Sequence, residues 1–63
     1  MLEQAYLREQ LQALLDQEHQ AAAAYGKLAI DLSDPKLKSH VEHVLRDKHK
    51  HIQLAERLLE ILQ

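Results

Sequence analysis

Leu32-Ser33-Asp34-Pro35-Lys36-Leu37 is the stretch that decides how this chain folds. It contains the chain's one proline; the one glycine, Gly26, lies upstream. The Asp34 carboxylate is suited to accept from the orphan amides of a following helix. Pro35 suits the first helical position, where a missing N–H is not needed. The spacing therefore predicts a helix from about 2 to 32, a turn at 33–34 and a helix from about 35 to 62. At 1.5 Å per residue each helix is about 40–47 Å long. A connection this short folds the two back on each other as an antiparallel hairpin, and the whole of 1–63 reads as that single unit.

Apolar residues outward from the turn follow steps of four and three. The first helix carries Leu7, Leu11, Leu14, then Glu18 and Ala21, then Tyr25, Leu28 and Leu32. The second carries Leu37, Val41, Val44, then Lys48 and His51, then Ala55, Leu58 and Leu62. Leu15, Ala22 and Ala29, with Leu45, Ile52 and Leu59, widen the two stripes beyond a two-stranded seam. One hairpin cannot cover faces of that width. The expectation is an all-α fold in which the hairpin dimerises, or assembles further, into a four-helix bundle. Glu42, Arg46, His49, Gln53 and Glu56 follow helical spacing on the other side and are expected in solvent. Gly26 inside a helix points either to a close neighbouring backbone or to a tolerated accident.

Composition narrows the function classes. Sixty-three residues with no cysteine cannot draw on disulfides, and below about 70–80 residues a single core is marginal without a metal, a partner chain or very regular packing. Eight Lys and Arg against ten Asp and Glu give a net charge of −2, which leaves no basic footprint for nucleic acid. No apolar run approaches the roughly 20 residues of a membrane span, and Met1-Leu2-Glu3-Gln4 lacks the features of a signal peptide. A cytoplasmic protein is expected. Thirteen Leu, eight Ala and seven Gln favour helix, and five His form the one surplus that asks for chemistry.

The two stripes are interrupted at the same height. In an antiparallel pair joined between Ser33 and Asp34, Glu18 lies level with the neighbourhood of His49, so Asp47, Lys48 and His51 flank it. Asp47 and His51 are four apart and stand one turn above each other. In a two-fold dimer, two Glu18, two Asp47 and two His51 converge on the bundle centre. Such oxygen and nitrogen donors suit iron, manganese or zinc.

On these residues the chain resembles half of a ferritin-like di-iron bundle, as in bacterioferritins, rubrerythrins and encapsulated ferritins. The resemblance is carried by Glu18, by Tyr25 seven residues on, and by Asp47-Lys48-His49-Lys50-His51. In that family one helix gives a Glu and the next gives Glu-x-x-His. Here that spacing pairs Lys48 with His51, or Asp47 with Lys50, and the i,i+4 pair of Asp47 and His51 holds two donors. The resemblance implies a transition metal, foremost iron, on Glu18, Asp47 and His51. It also implies a redox or hydrogen-bonding role for Tyr25, and oxidation of iron by a small oxidant such as dioxygen or peroxide.

Two other readings stand beside it. Glu18 paired with Lys48 would fix the register of a non-enzymatic dimerisation or adaptor hairpin with no metal. An RNA-binding hairpin dimer shares the architecture but needs a basic and aromatic reading face, which this sequence lacks.

Overall fold

The computed structural model describes residues Leu2–Leu62, and in it the chain is an antiparallel helical hairpin of helix α1 (Leu2–Asp31) and helix α2 (Pro35–Leu62). Met1 and Gln63, which the single-unit reading included, lie outside the described residues. The Cα trace measures 50 × 14 × 11 Å. Among the described residues no helix is long and apolar enough to cross a membrane.

The turn forms as its residues dictate. Asp34 Oδ1 accepts from the backbone N–H of Lys36 at 2.9 Å and of Leu37 at 3.2 Å, which satisfies two of the first amides of α2. Leu32 N–H still donates to the Leu28 carbonyl at 3.0 Å, so α1 closes its last turn just before Ser33. At the open end the Gln4 side-chain amide donates to the Leu62 carbonyl at 3.0 Å and ties the two helices together again.

Packing between the helices departs from the stripes read in the sequence. The positions taken there as the margins are the seam: Leu15, Ala22 and Ala29 of α1 and Ile52 of α2 are the buried apolar residues, with Leu45, Ala55 and Leu59 packed around them. Leu7, Leu14 and Leu28 of the expected first stripe, and Leu37 and Leu58 of the second, are instead exposed. The reason is geometric. Two helices in contact cover only the positions near the line joining their axes, and Leu14 lies a further 100° around α1 from Leu15. Each helix therefore carries two adjacent apolar rows, and the hairpin buries one of them.

The alanine run does what short side chains allow, since Ala22 and Ala29 are buried between the helices. Gly26 is not a point of close approach within the hairpin, because a Cβ built there meets nothing within 4 Å and its backbone is ordinary helix.

Two substitutions test this account by urea denaturation at fixed protein concentration. Asp34→Ala removes the cap of α2 and lowers stability by about 1 kcal/mol, whereas Asp34→Ser holds most of it. Gly26→Ala raises stability by about 0.5–1 kcal/mol through helix propensity. An unchanged midpoint for the first, or a loss for the second, contradicts these assignments.

Candidate functional site at the middle of the hairpin

The polar interruption falls close to the midpoint of both helices, and there the structure brings charged side chains together across the seam. Lys48 Nζ of α2 lies 3.4 Å from Glu18 Oε2 of α1. His51 Nδ1, one turn along α2, lies 3.9 Å from the same oxygen. Glu18 and Lys48 are each about three-quarters shielded, with side chains 25% and 26% exposed, while the His51 side chain remains 59% exposed. The registry of the turn produces this meeting: Glu18 and Lys48 stand at nearly equal distances from Ser33-Asp34 on helices that run in opposite directions.

Glu18 Oε2 is inaccessible to solvent and accepts no hydrogen bond. The ammonium beside it supplies charge without a well-directed N–H, and the imidazole stands beyond hydrogen-bonding range. A shielded carboxylate oxygen in this condition forfeits a water-like partner, so the pairing is electrostatic and incomplete.

The remaining expected site residues are placed differently. Asp47 is exposed on α2, and among the described residues its carboxylate is not grouped with Glu18 and His51. Tyr25 is half-buried two turns along α1 from Glu18, and the ion pairs of Glu18 run to Lys48 and His51. Among the described residues no group of three or more His, Cys, Asp and Glu side chains is placed to hold a metal ion. Lys48 was read in the sequence as a break in the stripe and as the rival partner of Glu18. Its position three residues before His51 carries the significance, because that places the ammonium at the height of Glu18.

The other histidines spread around the hairpin. His19 and His49 line a shallow groove with Gln53 and Glu56 over Ala22 and Ile52, on the side away from His51. His40 and His43 are exposed near the turn.

No protein-family model, curated protein or solved structure matches this chain.

A double-mutant cycle measures the pair. Lys48→Met is expected to lower stability by about 1–2 kcal/mol, between the values of exposed and buried pairs. In the Glu18→Gln background the same substitution is expected to be nearly neutral. Equal effects of Lys48→Met in the two backgrounds would show that the ammonium and the carboxylate do not interact.

Proposed function

We propose that this hairpin is one half of a ferritin-like four-helix bundle completed by a second copy, and that it serves as a non-enzymatic dimerisation module. The observation that carries this reading is the Lys48 ammonium 3.4 Å from Glu18, at the height where the resembled family keeps its ligand carboxylates. The ion pair holds the two helices in register. In a bundle core it also sets how a second hairpin docks, since an unpaired charge in the wrong layer is costly.

Surface area supports the need for a second copy. The hairpin exposes 5192 Å², whereas a compact monomer of 7.3 kDa exposes about 4,200 Å². The excess of about 1,000 Å² goes with the elongated shape and leaves room for the roughly 800 Å² per partner that a standard interface buries. Among the described residues no side chain is fully buried, so one copy shows no complete core there.

The donor set does not fit the iron, manganese or zinc that the resemblance implies. A divalent ion against Glu18 would meet the Lys48 ammonium already there, and like charges at that separation repel strongly. Doubling the level by a two-fold gives two carboxylates balanced by two ammoniums, which leaves no net negative charge to hold a cation. The lone oxygen of Glu18, with His51 nearby, is the one feature that favours a metal-binding, iron-oxidising reading, and it is the feature that a designed variant would exploit.

Metal content and one charge reversal separate the two. The wild-type chain, purified without chelator or affinity tag, is expected to carry no stoichiometric iron, manganese or zinc and to gain no thermal stability from Fe(II), Mn(II) or Zn(II). Lys48→Glu places a carboxylate against Glu18 and restores the Glu-x-x-His spacing with His51. It is expected to destabilise the metal-free protein and to be rescued by one of these ions. Stoichiometric metal in the wild type, lost in Glu18→Ala and His51→Ala, would overturn the metal-free reading.

A further inference from the structure

We infer that the second copy sits on one particular face of the hairpin, and that its docking completes the polar level by pressing His51 of each hairpin onto the unbonded oxygen of that hairpin's Glu18. This rests on the homodimeric reading above and specifies its surface.

The face is marked by a period of seven. Along α1 the row Leu7, Leu14, Ala21, Leu28 and along α2 the row Leu37, Val44, His51, Leu58 each repeat at seven residues, beside the seam that the hairpin buries. Leu7, Leu14, Leu28, Leu37 and Leu58 are 42–56% exposed. A seven-residue repeat is the spacing that keeps one side of a helix against a straight or gently supercoiled neighbour. A helix with two such rows has two helical neighbours, which is the environment of every helix in a four-helix bundle. The two rows flank an apolar groove lined by Leu11, Leu14, Ala55 and Leu58 with Glu18 and His51. The opposite groove carries His19, His49, Gln53 and Glu56, and its polar side chains suit water.

The occupant is a second copy because the face is complementary to itself. Its one polar level lies near mid-height of both helices, so a two-fold related hairpin sets polar against polar and leucine against leucine whichever end its turn occupies. A purely apolar segment laid in the groove would bury Glu18 and His51 against hydrocarbon and leave Oε2 without a donor. At that height the exposed donor on the face is the imidazole, 59% exposed in the single hairpin. Burial against a copy turns this loose side chain, already 3.9 Å away, into the missing partner of a shielded carboxylate, so the polar level is complete only in the dimer.

The absence of cysteine makes the face directly testable by thiol labelling. Leu14→Cys and His49→Cys place one thiol on each side of the hairpin. Maleimide labelling of Leu14→Cys is expected to slow at least about tenfold as the concentration is raised through the dimerisation range followed by sedimentation equilibrium, with His49→Cys unaffected. Protection of His49→Cys in place of Leu14→Cys would overturn the face and leave the homodimer standing. A chain that stays monomeric at every concentration would overturn both.

His51→Leu tests the completed level. It extends the apolar row, so if His51 were merely tolerated there the dimer would tighten. If His51 is the donor to Glu18, association weakens by about tenfold because an acceptor is left buried and unpaired. Unchanged helix content by circular dichroism confirms that the hairpin persists, and a tighter dimer would overturn the completed level.

Discussion

Two helices can cover only one row of each other's surface, and every other property of this protein follows from that restriction. The capped turn at Asp34-Pro35 brings α1 and α2 together along Leu15, Ala22, Ala29 and Ile52. Alanine in the middle of the seam leaves room for the backbones to come close, yet among the described residues no side chain is wholly enclosed. The leucines one step around each helix stay in water. For a chain of 63 residues this is too little core to stand comfortably alone, and the second row is the surface from which more must come.

The polar level gains its meaning from the same geometry. Glu18 is held at the edge of the seam, where one oxygen loses water and gains an ammonium at 3.4 Å but no hydrogen bond. An arrangement of this kind contributes more to selecting one register and one partner than to net stability, because desolvation offsets much of the attraction. It also bears on the ferritin-like resemblance. The lysine three residues before His51 puts a positive charge where that resemblance would put a ligand carboxylate, so in the proposed reading the scaffold and the metal chemistry separate at a single position.

The sequence showed the fold plainly because its signals are local. Asp34 and Pro35 mark the cap and first turn of α2, and steps of three and four mark each helix, so both helices and the level of Glu18 with Lys48 were legible to within a residue. Which apolar row faces which neighbour was not legible. Leu14 and Leu15 are identical in type, and only the packed pair shows that Leu15 enters the seam while Leu14 lies open. The spacing of Asp47 with His51 places both on one side of α2, but spacing along one helix does not say which side chain reaches across to Glu18: His51 does, and Asp47 is exposed outside any such group among the described residues. Gly26 carried no packing information in the hairpin, since open space surrounds it.

We propose that a second copy, and not a metal, completes this fold. Native mass spectrometry of the chain as purified, across a range of concentrations, addresses both halves in one spectrum. The predicted result is a species of two polypeptides whose mass carries no metal increment, growing with concentration at the expense of the single chain. A chain that remains monomeric throughout, or a dimer that carries iron, manganese or zinc in fixed ratio, would contradict it.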